Sequence, residues 1–405
     1  MSSPASAGSE RFDPQRIVDR LTGELPRPQA YRVAFSGGLD STVLLHLLGG
    51  VRPRLGARLT AVHVDHGLQA ASAGWAQHCR DVCGELGIPL TVLRVDARAA
   101  PGQSPEAAAR QARYAALAEL QRADEMLLTA HHLDDQAETL LLQLLRGAGV
   151  EGLAAMPLIR EWRDGWHARP LLDVARPALR AWAETQRLDW IDDPSNAHIT
   201  ADRNFLRHEV MPRFRDRWPA AAASLAHSAG LCAEAAEIVR ACAASDYAEV
   251  VGTDATRLRL GPLCELGAVR ARGVLRHWLR ERAVPPLPAR RLREAVEQLC
   301  RARADAVVEV AWSGFALRRY RDEAWLGHAA AGIPPAGGIA WSGDALDLGP
   351  GLGRVVRRPG HGGVDPRAWT NGRVEIRFRS AGLRCRPAGR RGSRGFKKLA
   401  QEYGI

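Results

Sequence analysis

A seven-residue stretch, Ser-Gly-Gly-Leu-Asp-Ser-Thr, occupies positions 36–42 between two apolar runs. Its two glycines permit a tight turn that brings backbone N–H groups close to phosphate oxygens, and a helix beginning near Ser41 adds its positive N-terminal dipole. Asp40 suits an anion site only when a divalent cation lies between its carboxylate and the phosphates. The predicted phosphate ligands are Ser36, Gly37, Gly38, Leu39, Asp40, Ser41 and Thr42, and Asp40 is also the candidate metal ligand.

This loop differs from the two common phosphate-binding motifs. It has no Gly-Lys-Ser/Thr, which the usual NTPase loop requires, and no Gly-x-Gly-x-x-Gly, which marks dinucleotide-binding folds. A plain strand–turn–helix corner would explain the two glycines, but not their combination with Ser, Asp and Thr. The pattern therefore favours a functional loop over a structural turn.

A second group of polar residues, Thr-Ala-His-His-Leu-Asp-Asp-Gln-Ala-Glu-Thr at positions 129–139, ends a predicted strand and opens a helix. Residues three or four apart share a helix face, so Glu138 is expected beside Asp134 and Asp135. Clustered carboxylates can hold an ammonium group or a metal, and one of them can act as general base toward an amine. The alternative is ordinary acidic capping of the first helical turn.

Two pairs of arginines have helical spacing. Arg110 and Arg113 lie three residues apart and can bind phosphates in a bidentate manner, or they can line a solvated helix face. Arg203 and Arg207, with His208, can share a face that contacts an RNA backbone, or they can belong to a plain surface helix. The residues alone leave both choices open.

The end of the chain is strongly basic. Between Glu375 and Glu402 there is no acidic residue, and the chain's only two lysines, Lys397 and Lys398, stand there side by side. A charge run is usually a solvated tail, but this one is interleaved with glycine and apolar residues. It is therefore predicted to be a folded patch that contacts nucleic-acid phosphates. Its basic residues are Arg377, Arg379, Arg384, Arg386, Arg390, Arg391, Arg394, Lys397 and Lys398.

The elements that position these groups alternate between apolar strands and amphipathic helices from about residue 30 to 190. Strands are predicted at 31–35, 59–64, 90–95 and 126–130, and helices at 41–48, 72–87, 104–122 and 133–146. Strands that are apolar on both faces and separated by helices indicate a parallel sheet covered on both sides. Ligands of such sheets bind beyond the carboxyl ends of the strands. The 36–42 loop, His63 to His66 and His131-His132 all follow strand ends, so they are expected to converge.

The pattern divides the chain into several parts. The predicted domains are an N-terminal disordered segment with a lead-in helix (1–28), an α/β domain (29–214), a helical domain (215–328), a linker (329–340) and a small C-terminal domain (341–405). A strand pair around 307–326 is expected to close the helical domain. The fold class is therefore α/β, followed by a helical and a small α+β domain.

Composition indicates what kind of partner this protein binds and in which cellular compartment it occurs. The formal net charge of +11 favours a polyanionic partner, with nucleic acid ahead of a membrane surface, although a basic protein without such a partner is nearly as good an explanation. Seven scattered cysteines without a CxxC pair argue against a disulfide framework or a zinc site and fit a reducing compartment. The first ten residues lack the apolar core of a signal peptide. A cytoplasmic protein without a membrane partner is expected, and a homodimer is one alternative for its oligomeric state.

A family resemblance adds to these readings. The 36–42 loop resembles the pyrophosphate loop of the N-type ATP pyrophosphatases, and the 129–139 stretch resembles the signature of the tRNA(Ile)-lysidine synthetase family within them. His63-Val64-Asp65-His66-Gly67-Leu68 is similar to that family's second segment, which usually has His at position 65, and Arg110-Gln111-Ala112-Arg113-Tyr114 matches its RxxRY element. Arg169-Pro170-Leu171-Leu172, Asp192-Asp193-Pro194-Ser195-Asn196 and the basic C-terminal stretch follow in the family's order. Family members usually continue beyond the position of Ile405, so the last domain is expected to be either shortened or cut off.

The resemblance implies a Rossmann-like ATPase domain and a specific reaction. ATP with Mg²⁺ adenylates O2 of the first anticodon cytidine of tRNA(Ile) bearing a CAU anticodon, and free lysine then displaces AMP. Asp134, Asp135 and Glu138 would hold and help deprotonate the lysine, while His132 and Arg113 would line the adenylate site with Asp40 in a catalytic role. His63 would lie at the nucleotide. The implied tRNA contacts are Arg203, Arg207, Arg390, Arg391, Arg394, Lys397 and Lys398.

Three alternatives predict different features. A tRNA thiolase of the same superfamily needs sulfur-carrying cysteines near the nucleotide, and Cys79 and Cys83 have the spacing of plain helix packing instead. A small-molecule amidotransferase needs a glutaminase domain or an N-terminal nucleophilic cysteine, and neither occurs in this sequence. A non-catalytic RNA-binding protein explains the charge but not the acidic cluster at a strand end.

Overall fold

The computed structural model describes most of the chain. The chain divides into two compact units, Met1–Ile238 and Val239–Ile405. The described residues are 12–67, 72–96, 98, 104–194, 201–252, 254–303, 306, 308–329, 337–349, 352–358, 360, 367, 369, 374–378, 382–387 and 389–403. Among them no helix is long and apolar enough to cross a membrane.

The first unit is built on a six-stranded sheet with the strand order β3-β2-β1-β4-β6-β5. Five strands run parallel, and the edge strand β5 pairs with β6 in the antiparallel sense. The strands are β1 (Ala30–Ala34), β2 (Arg58–Asp65), β3 (Leu90–Arg94), β4 (Glu125–Leu128), β5 (Ile159–Trp162) and β6 (Gly165–Ala168). The four predicted strands are confirmed, whereas β5 and β6 were not predicted because they form a short polar hairpin without a long apolar run.

Helices connect these strands and extend beyond the sheet. They are α1 (Pro14–Asp19), α2 (Leu39–Gly50), α3 (Arg52–Leu55), α4 (Ser72–Glu85), α5 (Pro105–Leu120), α6 (Leu133–Leu145), α7 (Val150–Leu153), α8 (Arg176–Thr185), α9 (Asp202–Phe205) and α10 (Met211–Arg217). Helix α11 (Ala221–Val250) contains the boundary between the two units. The helices predicted after β1, β2, β3 and β4 are confirmed as α2, α4, α5 and α6.

The main core of the first unit lies between α2 and the central strands. Tyr31 and Val33 of β1 and Val43 and Leu44 of α2 are at most 1% exposed. Removing such side chains from water stabilises the folded state by about 25 cal/mol for each Å² of apolar surface buried. The loop between β1 and α2 is therefore attached to a well-packed part of the core. The predicted packing role of Cys79 and Cys83 is confirmed, because both are buried in the same core cluster.

The lead-in helix is fastened to this core by a buried arginine. Arg20 donates two hydrogen bonds of 2.8 Å to the two carboxylate oxygens of Asp173, and a third of 2.6 Å to the carbonyl of Pro170. Although burial opposes it, the bidentate bond to Arg20 lowers the pKa of Asp173. Residues 12–28 are thus part of the folded unit.

The second unit combines helices with a four-stranded antiparallel sheet of order β7-β10-β9-β8. Its larger elements are β7 (Arg257–Arg259), α12 (Leu260–Glu265), α13 (Gly267–Glu281), α14 (Ala289–Arg301), β8 (Glu309–Trp312), β9 (Phe315–Tyr320) and β10 (Glu323–His328). Trp278, which is fully buried, is the largest side chain of the core between them. The predicted helical region is confirmed, but the expected strand pair is in fact three strands joined by β7.

A disulfide links two helices of this second unit. Cys264 on α12 and Cys300 on α14 have their sulfur atoms 2.06 Å apart. The cysteine pattern argues against a disulfide framework, and this pair is the single disulfide that the structure shows, with the other five cysteines free. Thirty-six residues separate the two cysteines in sequence, so only the packing of α12 against α14 reveals their proximity.

The C-terminal part of the second unit contains short antiparallel strand pairs and a final helix. Its elements are β11 (Ile339–Ala340), β12 (Ala345–Asp347), β13 (Arg354–Val356), β14 (Glu375–Ile376), β15 (Arg384–Cys385), β16 (Arg394–Gly395) and α15 (Phe396–Tyr403). The pairs are β11 with β14, β12 with β13, and β15 with β16. The described residues of the basic stretch between Arg384 and Tyr403 therefore belong to a strand pair and a helix, as predicted, rather than to an unstructured tail.

Candidate functional site

The loop between β1 and α2 is closed by its own hydroxyl groups. The hydroxyl oxygens of Ser36 and Ser41 lie 3.0 Å apart, and the hydroxyls of Ser41 and Thr42 each donate to the carbonyl of Gly38 at 3.0 Å. Helix α2 begins within this loop, at Leu39, and has Asp40 in its first turn. The backbone N–H groups at this helix start, together with the helix dipole, form a site that favours an anion such as phosphate.

Gly37 is required in this loop for two reasons. Its φ of +82° lies in the left-handed region, and a Cβ atom there would come within 2.8 Å of Ile191 Cδ1 and 3.2 Å of the Cys79 sulfur. The backbone N–H of Ile191 also donates to the Gly37 carbonyl at 2.9 Å. The segment containing Ile191 therefore lies directly against the loop and leaves no space for a side chain.

Gly37→Ala is expected to weaken ATP binding about 5- to 150-fold, because strain and close contact on the order of 1–3 kcal/mol must be relieved by moving the loop. Gly38→Ala is the matched comparison, since a Cβ atom at Gly38 would meet nothing closer than 3.5 Å. Calorimetric titration with ATP and thermal unfolding of both variants provide the measurement. Equal unfolding temperatures for the two variants would contradict this account of the loop.

His63 supports the loop from below rather than lining it. It is 5% exposed, and its Nδ1 atom lies 3.0 Å from the carbonyl oxygen of Phe35 and 3.4 Å from the sulfur of Cys79. Burial lowers the pKa of His63 and raises that of the Cys79 thiol to about 12. The structure thus gives His63 a packing role beneath Phe35, and Cys79 is an unreactive thiol, unlike the cysteine that sulfur transfer requires.

His132 connects the loop with the acidic cluster. It is the N-cap residue of α6, and its backbone N–H donates to the Asp135 carboxylate at 3.1 Å. Its Nε2 atom lies 3.6 Å from the Asp40 carboxylate, and its Nδ1 atom lies 3.6 Å from Asp134. Burial opposes protonation, but Asp135, Asp40 and Asp134 together raise the pKa of His132. The predicted convergence of the two motifs is therefore present in the structure.

The acidic cluster faces two arginines that sequence reasoning assigned to tRNA. Arg203 and Arg207 donate through their Nε atoms to the two oxygens of Glu138, both at 2.8 Å. Arg207 also donates to Asp135 at 2.9 Å. The side chain of Glu138 is 2% exposed and those of the arginines are 20% and 23% exposed. Both guanidinium groups point inward because a buried carboxylate must be neutralised by a hydrogen-bonded partner.

These ion pairs favour the charged forms of Asp135 and Arg207. Burial would raise the pKa of Asp135, but His132, Arg203 and Arg207 hold it well below its usual value. For Arg207, the hydrogen bonds and charge of Glu138 outweigh burial and raise its pKa. Asp135 is thus a fixed negative charge, and a carboxylate this acidic is a poor general base at neutral pH.

Asp134 and a residue that the sequence did not single out complete this side of the site. The Asp134 carboxylate accepts a hydrogen bond from the guanidinium of Arg215 and another, of 2.9 Å, from the backbone N–H of Arg176. The Arg176 side chain lies beside the loop, with Nε 3.6 Å from an oxygen of Asp40. Arg176 begins helix α8, shortly after the Leu171-Leu172 segment, and no sequence motif there predicts its contact with Asp40.

A group of histidine and arginine side chains lies at the carboxyl ends of β4 and β6. The Thr129 hydroxyl is 2.8 Å from Nδ1 of His131 and 2.9 Å from Nε2 of His167, and Arg169 approaches His167 at 3.3 Å. Burial and the neighbouring arginines lower the pKa of His131 to about 3 and that of His167 to about 2. Arg110 of α5 adds positive charge here, whereas Arg113 of the same helix acts on His66, whose pKa burial already lowers. The histidines are therefore neutral hydrogen-bonding groups at pH 7.

The C-terminal basic patch forms a separate candidate surface in the second unit. Arg390 and Arg394 donate to the two oxygens of Glu402 at 2.8 and 2.5 Å, and Arg391 and Lys398 are exposed. The side chain of Lys397 lies outside the described residues. Glu402 thus holds two of the arginines in one orientation on α15 and the β15–β16 hairpin.

A parallel sheet with an anion loop after its first strand, and with charged groups gathered at the strand ends, defines an ATP-using domain of the PP-loop class. The family model described as a PP-loop domain matches residues 13–214. The models described as the TilS substrate binding domain and the TilS substrate C-terminal domain match residues 258–325 and 374–405.

Comparison with curated relatives shows to which family within this class the chain belongs. The tRNA(Ile)-lysidine synthase of Methylococcus capsulatus is 43% identical over 391 residues, which cover 96% of this chain and 89% of the relative. Those of Alkalilimnicola ehrlichii and Coxiella burnetii are 42% and 36% identical and cover 98% and 97% of this chain, with 89% and 87% of the relatives covered. The chain belongs to the tRNA(Ile)-lysidine synthase family.

Proposed function

We propose that this enzyme uses ATP to join free lysine to C2 of cytidine 34 in tRNA(Ile) with a CAU anticodon. The observation that carries the proposal is the contact made by His132, which joins the anion loop to the acidic cluster through Asp40, Asp134 and Asp135. A nucleotide phosphate and an ammonium-bearing substrate can thus be held within one site. Family membership supplies the RNA substrate.

The reaction needs two displacements. First, O2 of the cytidine attacks the α phosphorus of ATP, and the bond to the β-phosphate oxygen breaks with pyrophosphate as leaving group. Then the ε-amine of lysine attacks C2, the C2–O2 bond breaks, AMP leaves, and the amine loses a proton. The first step is required because a carbonyl oxygen is a poor leaving group until it is adenylated.

Asp40 fits the Mg²⁺ that ATP brings. Its Oδ1 atom is buried and has no hydrogen-bond partner among the described residues, so its capacity for a further ligand is unused. Mg²⁺ is usually held by one or two carboxylates together with substrate phosphates, which suits a single aspartate at an anion loop. When bound, the ion would neutralise charge on the leaving pyrophosphate.

The cluster of Asp135 and Glu138 with Arg203 and Arg207 suits the zwitterionic head of an amino acid. A carboxylate attracts its α-ammonium group and a guanidinium attracts its α-carboxylate. We propose that Asp134 and Asp135 hold the lysine while Glu138, which is almost fully buried, fixes the two arginines. The partly exposed edges of the arginines would also contact RNA phosphates. His132 and Arg113 would line the adenylate.

The test of the proposed function is direct. The purified chain is incubated with ATP, Mg²⁺, radiolabelled lysine and a CAU-anticodon tRNA, and the RNA is isolated. Label in the RNA that depends on ATP supports the proposal, and a tRNA with another nucleotide at position 34 is the control. Absence of label, with ATP binding intact, would contradict it.

Because its substrates are tRNA and free lysine, we also propose a cytoplasmic location for this protein. A homodimer stays a prediction, which light scattering would test.

Removing the basic patch is expected to weaken tRNA binding without affecting ATP binding. A chain ending before Arg384 lacks Arg390, Arg391, Arg394, Lys397 and Lys398. Every phosphate that is no longer neutralised reduces the slope of log affinity against log salt by about 0.7 to 0.9, so removal of several basic side chains gives a clearly flatter dependence. Binding measured from 50 to 200 mM salt would show this, with calorimetric ATP binding as the control. An unchanged slope would mean that the patch does not touch the phosphates of the RNA.

A further inference from the structure

Arg176 is anchored at the entrance of the anion loop by its backbone. It is the first residue of α8, and its N–H donates to the Asp134 carboxylate at 2.9 Å. Further along α8, Leu179 and Ala183 are fully buried in the same core cluster as Val43 of α2. Because these anchors use the backbone and other residues, the position of the Arg176 Cα atom does not depend on its side chain.

The Arg176 side chain is placed beside the loop without a full set of partners. Its Nε atom is 3.6 Å from Asp40 Oδ1, and both atoms are buried without a hydrogen-bond partner among the described residues. This distance is too long for a hydrogen bond, and leaving a buried polar atom without a partner is unfavourable. The donor and the acceptor thus face each other with their bonding capacity unused.

Ligands of opposite charge would satisfy both atoms at once. A carboxylate such as Asp40 accepts a cation, and a guanidinium accepts an oxyanion, with two N–H donors matching two phosphate oxygens. The α2 helix start beside them favours the same anion. Among the described residues, Arg176 and His132 are the basic groups that lie within 4 Å of the Asp40 carboxylate.

We propose that Arg176 is a phosphate-binding residue that contacts the β and γ phosphates of ATP, and hence the pyrophosphate that leaves. On nucleotide binding, its guanidinium exchanges the Asp40 carboxylate for phosphate oxygens, and Asp40 becomes available to the cation. This inference rests on the proposed function for its nucleotide, but it concerns a residue outside the loop and outside the acidic cluster.

The test compares ligands that have or lack the outer phosphates. Arg176→Gln is titrated by calorimetry with ATP, inorganic pyrophosphate and AMP at constant Mg²⁺. Without the bidentate charge-assisted hydrogen bonds, ATP and pyrophosphate binding are expected to weaken about tenfold or more, whereas AMP binding changes less than about twofold. Arg180→Gln is the matched control one turn along α8, because Arg180 is half exposed and pairs with Glu184. It should bind all three ligands like the wild type.

Each result decides for or against the role of Arg176. Unchanged pyrophosphate binding, or an equal loss for AMP and pyrophosphate, would overturn the assignment, the second because it indicates a merely structural effect. If Arg176→Gln does not fold, Arg176→Lys replaces it and should show a smaller loss with the same preference. A wild-type chain that binds both ligands but transfers no lysine refutes the proposed function alone. A wild-type chain that binds neither refutes both proposals.

Discussion

Glu138→Gln is expected to lower lysine incorporation into tRNA at limiting lysine by about 10²- to 10³-fold, which corresponds to about 3–4 kcal/mol. Glu138 is the one residue that accepts the Nε hydrogen bonds of both Arg203 and Arg207. Without its charge, Asp135 is the remaining carboxylate that pairs with the two guanidinium groups among the described residues, and the guanidinium groups repel each other. The cluster then no longer presents a fixed pattern of charges to the amino acid.

The measurement follows labelled lysine into CAU-anticodon tRNA as the lysine concentration is varied. ATP binding by Glu138→Gln should stay within about threefold of the wild type, because additivity holds for groups that share no partner. Glu184→Gln is the control, since Glu184 is 59% exposed and pairs only with Arg180 among the described ion pairs. Wild-type incorporation by Glu138→Gln would show that the acidic cluster does not serve lysine.

Asp40→Asn is expected to reduce tRNA-dependent pyrophosphate release by about 10²- to 10³-fold, because the carboxylate that fits the cation is removed. Whether Asp40→Asn weakens or strengthens ATP binding depends on whether Mg²⁺ is present. With Mg²⁺ present, ATP binding should weaken, since an amide is a poorer ligand than a carboxylate. With the metal chelated, binding should stay equal or become tighter, because a negative charge beside the phosphates has been removed.

ATP titrations with Mg²⁺ and with EDTA distinguish these two effects, and pyrophosphate release gives the rate. Asp81→Asn on α4 is the control, since Asp81 is exposed and accepts a hydrogen bond only from Gln77 among the described contacts. If Asp40→Asn weakened ATP binding equally in both buffers, Asp40 would act by holding the loop in shape. The proposed metal contact would then be abandoned.

The charged site has a physical consequence for catalysis. Asp135 and Arg207 are strongly stabilised in their ionised forms, so the cluster serves better to hold and orient a substrate than to exchange protons. His131 and His167 are neutral at pH 7 because burial and nearby arginines disfavour the imidazolium form. They can therefore donate and accept hydrogen bonds without adding charge to a region that already contains several arginines.

Local sequence determined much of this protein. Apolar runs and helical periodicity predicted the four central strands and the helices between them, because burial on both faces of a parallel sheet restricts side-chain type at nearly every position. The rule that ligands lie beyond the carboxyl ends of such strands predicted that the 36–42 loop would meet His132. The loop's composition and the family resemblance indicated ATP chemistry and tRNA.

Other features were decided only by the tertiary structure. Arg203 and Arg207 could face solvent or carboxylates, and 65 and 69 residues separate them from Glu138, so only the packing of the chain shows that they point inward. The other pairs that only the fold brings together are also far apart in sequence: Arg176 with Asp40, Ile191 with Gly37, and Cys264 with Cys300. Periodicity reports which face of an element is buried, but it does not report which side chain lies across the interface. That information arises when the strands assemble, because the partner of each buried charge is chosen by distance and desolvation in the folded chain.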